Sequence, residues 1–563
     1  MKMRNRLLLL ISSIMLFIVE PLSAQMNYKG LIFSEVYLDE SRPEQSWLEI
    51  YNPTSNPLIL ENAIKAAKMM SMNTISAPVH FELFERVEGE FDYTEIDSLI
   101  NGARKAELKL IILWFGSWKN GVSNYIPSWM KLNHDKYPMV KDKAGNMTRS
   151  LSPLFETTLE ADKTAFIALL SHIKEIDKDE TVIGIQIENE PGLIGTVRDY
   201  SDKGNQLFRE RVPKEVEDFS KKKGSWSKVF GFFSEEFFTA YYIAKFIDEI
   251  ASAGKKILDL PMYVNVWLGE MYERIPGVSY PSGGAVSHVF SFFKTMAPNL
   301  DAIAPDIYLT DDKTDEELFK TYSGSNNIFY LPESAPLPQF LVNGFEAIAN
   351  YNLTGFHMFG VDMMGILSSP MVKDLSSSND PMIKTLLPLA GEVMGAFKIL
   401  SNMKPLIEQY QESGKLYAIA QKEGMVNQYI DFGDYIGIIK FLNKNNSLFS
   451  TNDSYNMDSR HYKAMYPSYR AKGFIVNKGN GEFYLAGDAF SLLLYKKDNL
   501  NNFMSIAHSS PFFQTRTSSF ISVTEGIFMD NGEYYPTIIR NGDETDGGFW
   551  VTNDIGVLHV IME

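Results

Sequence analysis

The segment Ile185-Gln186-Ile187-Glu188-Asn189-Glu190-Pro191-Gly192 places two carboxylates around an amide, at the end of an apolar run that opens at Val182. A second apolar run ends in a carboxylate at Tyr330-Leu331-Pro332-Glu333. Glycoside hydrolysis needs two carboxyl groups across one scissile bond, one protonated as general acid and one charged. Glu190 is the candidate acid and base, its pKa raised partly by a neighbouring negative charge. Glu333 is the candidate nucleophile, kept ionised by a partner such as Tyr308. Glu188 competes with Glu190 from within the same motif; the two are expected to have opposite faces, Glu188 pointing sideways into the wall of the fold as scaffold and Glu190 one step further out at the rim.

Such a pair has to be delivered from opposite sides of a rigid frame. Apolar runs that end in polar residues recur along the chain, separated by amphipathic helical segments: Asn73 to Val79, Leu108 to Trp114, Val182 to Asn189, Met262 to Trp267, Ala302 to Tyr308, Ile328 to Glu333 and Gly355 to Gly360. Trp47 to Asn52 supplies an eighth, upstream. Eight βα units predict a closed (β/α)8 TIM barrel, an α/β fold that gathers its working residues at strand C-termini. A doubly wound sheet is the rival, and no GxGxxG or phosphate loop follows an early strand. The predicted crown of strand tips holds Glu49, Asn52, Glu82, Asn189, Glu190, Asn265, Asp306, Tyr308, Glu333, His357 and Asp362, a set rich in carboxylates and amides that suits sugars. From about Lys404 the pattern changes to short alternating runs split by turns such as Asn477-Lys478-Gly479-Asn480-Gly481, which predicts an all-β, sandwich-like domain over residues 404–563.

Lys2, Arg4 and Arg6, an apolar run from Leu7 to Val19, and Leu22-Ser23-Ala24 have the layout of a secretory signal peptide cleaved after Ala24. The expected division is therefore signal peptide 1–24, catalytic barrel with an N-terminal hairpin 25–403, and accessory β domain 404–563. Export to the periplasm or medium follows, without stable membrane insertion. The formal net charge of −17 argues against nucleic acid as a partner. With no cysteine, neither disulfides nor thiolate metal sites are possible, and the 8 histidines show no HExxH-type spacing, so no metal or cofactor is expected.

The motif Gln186-Ile187-Glu188-Asn189-Glu190 resembles the QIENE motif of glycoside hydrolase family 35, whose β-galactosidases belong to the retaining clan A. The resemblance implies that Glu190 is the acid/base and that Asn189 binds the sugar 2-hydroxyl. Glu82-Leu83-Phe84-Glu85 with Glu88-Gly89-Glu90-Phe91-Asp92 is similar to the clan's segment after the second strand. Trp114-Phe115-Gly116-Ser117-Trp118-Lys119-Asn120-Gly121 and Tyr330-Leu331-Pro332-Glu333 resemble a bacterial branch with an extra C-terminal β domain, as Arg540 to Asp546 does loosely. What this implies is an exo-acting β-galactosidase that degrades oligo- or polysaccharide, with Asn189, Glu82, Trp118, Asn120, Asn265, Tyr308, Glu49, Asn52 and Phe359 as substrate contacts. Phe359 stands where many clan members place a tryptophan, so stacking on the sugar falls to Trp118, Trp267 or Phe359. Glu49 and Asn52 depend on Trp47 to Asn52 being a barrel strand, because Gly30 to Pro53 also resembles the opening hairpin of lamin-tail-like domains. Two other readings stay open: another clan A retaining glycosidase acting on β-glucosides, β-xylosides or internal bonds, and a sugar-binding barrel without catalysis.

Overall fold

The computed structural model describes residues 32–37, 47–51, 56–271, 273–309, 311–324, 326–360, 381–441, 470–497, 520–529, 531–540, 545 and 548–563. The expected signal peptide, Asn52 and Asp362 lie outside them. Among the described residues no helix is long and apolar enough to cross a membrane.

The N-terminal unit holds a hairpin. Ile32–Tyr37 pairs antiparallel with Trp47–Tyr51, Ile32 opposite Tyr51 and Tyr37 opposite Trp47, as a two-stranded sheet of its own. This corrects the expectation that Trp47 to Asn52 is the first barrel strand, and Glu49 therefore does not sit at the tip of a parallel strand. The alternation of Trp47-Leu48-Glu49-Ile50-Tyr51 suits a hairpin as well as a barrel, and closing a short loop costs less entropy than a crossover.

In the second unit the strands Thr74–His80, Lys109–Lys119, Val182–Asn189, Met262–Trp267 and Ala302–Asp306 form a parallel sheet in that order. Two more segments extend it by isolated parallel bridges, Ile307 to Ser334 and Leu331 to Phe356. Their backbone bonds run from Ile307 N to the Glu333 carbonyl and from Leu331 N to the Gly355 carbonyl, both 3.0 Å. The circle closes where Ser76 Oγ of the first strand meets His357 Nδ1 of the last segment at 3.1 Å. The result is an α/β barrel whose described parallel strands begin at Thr74. Its interior packs Ile111, Tyr263, Ala302, Ala304 and Tyr330 into one cluster.

The helices follow from their sequences. Thr94–Lys105 carries Glu95 and Asp97 in its first turn and Arg104 and Lys105 in its last, matching the helix dipole, and buries Ile96, Leu99, Ile100 and Ala103. Glu156–Ile176 and Ser234–Lys255 pack on each other outside Val182–Asn189. Pro381–Tyr410 is a long helix, and the expected domain boundary at residues 403 and 404 falls inside it. Beyond it two antiparallel sheets enclose a core that includes Ile419, Ile439, Ile475, Phe483, Leu492 and Val560. One sheet has six strands and the other four, the sandwich expected of this region. Buried Lys472 of the larger sheet reaches Glu392 of the long helix at 2.8 Å and Asp488 at 3.9 Å, fastening helix to sandwich.

Candidate active site

Val182–Asn189 is buried at every position except Ile183, so the run of apolar residues fixes it as an interior strand. Its end is not regular. Glu188 and Glu190 have φ of 60° and 45°, and Asn120, which follows the neighbouring strand, has φ of 54°. Left-handed backbone is costly for residues with a side chain and persists where surroundings enforce it. Here they do. Asn120 N bonds the Asn189 carbonyl at 3.0 Å, Gly121 N the Glu190 carbonyl at 3.1 Å, and Glu190 N the side-chain oxygen of Asn265 at 2.7 Å.

The two motif carboxylates face different surroundings. Glu188 is fully buried and accepts the backbone N–H groups of Ser117 at 3.1 Å and Trp118 at 2.6 Å. Burial, and then the charge of Asp162, hold its carboxyl well above the ordinary range. Its neighbours leave no room for a side chain at Gly116, where a Cβ would lie 2.8 Å from Glu188 Oε1 and 2.7 Å from Asp162 Oδ2. Glu190 instead lies in the electrostatic field of the Glu333 carboxyl. Burial and the charge of Glu333 push it up to about 8, against the opposing pull of Lys119.

Glu333 comes from the segment bridged to Ile307 and accepts the Tyr308 hydroxyl at 2.9 Å. Burial raises its pKa, while the Tyr308 hydrogen bond and the Lys119 charge hold it down. An amide relay links the rest. Asn265 Nδ2 donates to Asp306 Oδ2 at 2.9 Å and, more weakly, to Asn189 Oδ1 at 3.4 Å. Gln186 Nε2 supports the same Asn189 oxygen at 3.1 Å, and Asn189 Nδ2 donates to Asn120 Oδ1 at 3.0 Å.

Of the residues proposed from sequence, the structure brings together Glu190, Glu333, Asn189, Asn120, Asn265 and Tyr308. Phe359 is 48% exposed, and its backbone N–H bonds the carbonyl of Ser334, the residue after Glu333, at 2.9 Å. Trp118 is a core side chain and not a stacking platform: it is fully buried, edge-on to Phe246 at 4.6 Å, with its indole N–H on the Leu151 carbonyl at 3.3 Å. Glu82, on the short helix Phe81–Phe84, pairs with Lys131 at 2.9 Å. Sequence reasoning passed over Lys119, Gln186 and the role of Asp306. Lys119 lies in register with Asn189 across the two strands, which its place five residues beyond the regular run Leu110 to Trp114 does not announce. Gln186 is an amide inside an otherwise apolar strand, a signal that was present.

Comparison with known proteins adds the following. Residues 393–552 match a family described as a domain of unknown function (DUF5597). No curated protein matches. Similar solved structures include the β-galactosidase from psychrophilic Marinomonas ef1, 13% identical over 64% of this chain and 64% of that one, TM-score 0.40. The β-galactosidase from Bacillus circulans sp. alkalophilus is 15% identical over 54% of this chain and 48% of that one, TM-score 0.39. The catalytic domain of β-amylase from Paenibacillus polymyxa is 13% identical over 57% of this chain and 95% of that one, TM-score 0.42. The chain thus spans under two thirds of the length of either β-galactosidase.

Proposed function

We propose that this chain is an exported, retaining, exo-acting β-glycosidase of the family 35 type, with β-galactosides as substrates. The observation that carries the reading is the presence of two carboxyls at the strand tips of one site: burial and the charge of Glu333 push Glu190 up to about 8, while Glu333, raised by burial, accepts the Tyr308 hydroxyl at 2.9 Å and has the opposing charge of Lys119. One proton donor and one anion are what the two-step mechanism asks for. Glu190 protonates the leaving oxygen while Glu333 attacks the anomeric carbon and forms the glycosyl ester. Glu190 then takes a proton from water, which displaces Glu333. Asn189, held by Gln186 and Asn120, is set to meet the sugar 2-hydroxyl, and Phe359 offers an exposed ring to its apolar face. The charged, apolar and small-residue order of residues 1–24 supports export.

The test is hydrolysis of 4-nitrophenyl glycosides, with the anomer of the first product read by NMR. The expected outcome is turnover of the β-galactoside with a β-anomer released first. Glu333→Gln on the nitrophenyl substrate, and Glu190→Gln on an alkyl β-galactoside whose leaving oxygen needs a proton, are each expected to lower kcat/KM by at least ~10²-fold, the scale of acid–base catalysis, with the fold intact. Near-normal turnover by either variant refutes its assignment.

A further inference from the structure

The site holds a cation to which the two-carboxylate mechanism gives no contact with the sugar. Lys119 ends the strand Lys109–Lys119, in register with Asn189 of the neighbouring strand. The residues after it are tied to the motif by backbone bonds, Asn120 N to the Asn189 carbonyl at 3.0 Å and Gly121 N to the Glu190 carbonyl at 3.1 Å. The side chain stays over the same ground. Its Nζ donates to Asn120 Oδ1 at 3.3 Å, and that oxygen also accepts Asn189 Nδ2 at 3.0 Å, so the ammonium and the Asn189 amide are neighbours across one shared acceptor. Nζ also stands 5.4 Å from the centre of the Phe115 ring and 5.9 Å from that of Tyr125. An ammonium has three N–H donors and no acceptor. Asn120 takes one, the rings attract the charge without replacing a strong acceptor, and Lys119 enters no ion pair among the described residues. Two donors are thus left for an acceptor that the protein does not supply. Lys119 is half-buried and Asn120 exposed, while Asn189 and Glu190 are buried, so these donors lie where the site opens.

We propose that Lys119 is a substrate-contact residue that donates a hydrogen bond to the 3-hydroxyl of the sugar whose glycosidic bond is cleaved. This rests on the glycosidase reading above, in which C1 lies between Glu190 and Glu333 and Asn189 meets the 2-hydroxyl. A pyranose presents its hydroxyls in ring order. Beyond C2, on the side away from C1, comes C3; beyond Asn189, across the shared Asn120 oxygen, comes Lys119. The two hydroxyls are vicinal and the two donors sit on one acceptor, so each donor can take one hydroxyl. The 3-hydroxyl then accepts from a full charge and the 2-hydroxyl from a neutral amide, which makes the lysine bond the stronger of the two.

The competing use of Lys119 is as a counter-charge, since its charge pulls down the pKa of both Glu190 and Glu333. A counter-charge acts on every substrate alike. A contact is felt only by substrates that carry the hydroxyl, and that difference is measurable.

The experiment measures kcat/KM of wild type, Lys119→Met and Lys119→Arg on 4-nitrophenyl β-galactoside and on its 3-deoxy and 2-deoxy analogues. Where another β-glycoside is the better substrate, its deoxy analogues take their place. Methionine keeps an unbranched apolar stem and removes both the charge and the donors. Wild type is expected to lose about 10–100-fold on the 3-deoxy substrate, the scale of a hydrogen bond to a charged group. Lys119→Met is expected to lose a similar factor on the parent substrate but to lie within about threefold of wild type on the 3-deoxy one, because both changes remove the same interaction. On the 2-deoxy substrate, whose 3-hydroxyl is intact, Lys119→Met keeps its full effect. Lys119→Arg, which retains charge and donors, is expected to keep part of the dependence on the 3-hydroxyl. A wild type indifferent to the 3-hydroxyl overturns the proposal. So does a Lys119→Met variant slower than wild type by the same factor on the parent and the 3-deoxy substrate, which is how a counter-charge behaves. Loss of the fold in both variants, read by circular dichroism, assigns Lys119 to the scaffold and also overturns it. A wild-type chain that hydrolyses no glycoside sinks the glycosidase reading itself, whereas an active chain without this coupling sinks the present proposal alone.

Discussion

Replacing Glu188 separates scaffold from chemistry within one motif, two residues from the proposed acid. The Glu188 carboxyl accepts Trp118 N at 2.6 Å and shares Ser117 N with Asp162, which takes the same N–H at 2.8 Å and the Ser117 hydroxyl at 2.6 Å. Glu188→Ala leaves Ser117 N with Asp162 but strips Trp118 N of this acceptor. An orphaned buried N–H costs about 1–3 kcal/mol, to which the cavity adds. Glu188→Gln keeps an oxygen for Trp118 N and turns an amide toward Asp162, so its stability at pH 5 is expected within ~1 kcal/mol of wild type. The pH dependence carries the sharper test. Because the folded-state pKa of Glu188 is raised, the native state keeps a proton that the unfolded chain releases above about pH 4.3. Wild-type stability therefore falls as pH rises through that window, by at most ~1.4 kcal/mol per unit. Glu188→Gln lacks this slope, so its Tm is expected to rise relative to wild type between pH 5 and pH 7. Thermal unfolding followed by circular dichroism at both pH values reads it, alongside kcat/KM, expected within about tenfold of wild type. A Tm difference independent of pH refutes the electrostatic argument. A folded Glu188→Gln variant with activity lost by orders of magnitude refutes the assignment of Glu188 to the scaffold.

Two further outcomes follow from packing. Trp118→Phe is expected to lower stability by about 1–3 kcal/mol, through lost volume and the lost indole bond to the Leu151 carbonyl, with KM changed by less than about threefold; a large rise in KM at unchanged Tm would restore Trp118 as a sugar contact. Glu392→Ala leaves buried Lys472 with Asp488 at 3.9 Å as its remaining carboxylate and is expected to cost ~3–5 kcal/mol in chemical unfolding; a loss below ~1 kcal/mol would show that the ion pair does not fasten the helix to the sandwich.

The barrel was legible because buried parallel strands are written as continuous apolar runs: Met262–Trp267 and Ala302–Asp306 are buried at nearly every position, on both faces. Local pattern misled where two partners compete for one strand, as at Trp47–Tyr51, whose alternation is equally satisfied by its neighbour Ile32–Tyr37. It was silent on Pro381–Tyr410, where Pro388 and Pro405 read as breaks in a helix that nonetheless continues. It was silent too on Asn427–Asp431, an edge strand with a single buried residue, Ile430. Trp118 looked like a rim aromatic because sequence carries no trace of the Phe246 ring that covers it from a helix far along the chain.

The site shows a deeper limit. In a regular strand residues two apart share a face, so the expectation of opposite faces for Glu188 and Glu190 does not follow from periodicity, although it assigned the roles. What separates them is the backbone, which turns left-handed at both positions. That departure is held from outside the motif. Glu188 is tied down by the N–H groups of residues 117 and 118, and Glu190 by the Asn265 amide and by Gly121. Gly116 belongs to this arrangement, since any side chain there would meet Trp114, Asp162 and Glu188 within 2.8 Å. The first carboxylate of the motif thus organises the neighbouring strand end, and that strand end returns Asn120 and Lys119 to the second. The two glutamates act on one site from two sides of its backbone, which is why a stretch of eleven residues on another strand, Lys109–Lys119, decides which of them can reach a substrate.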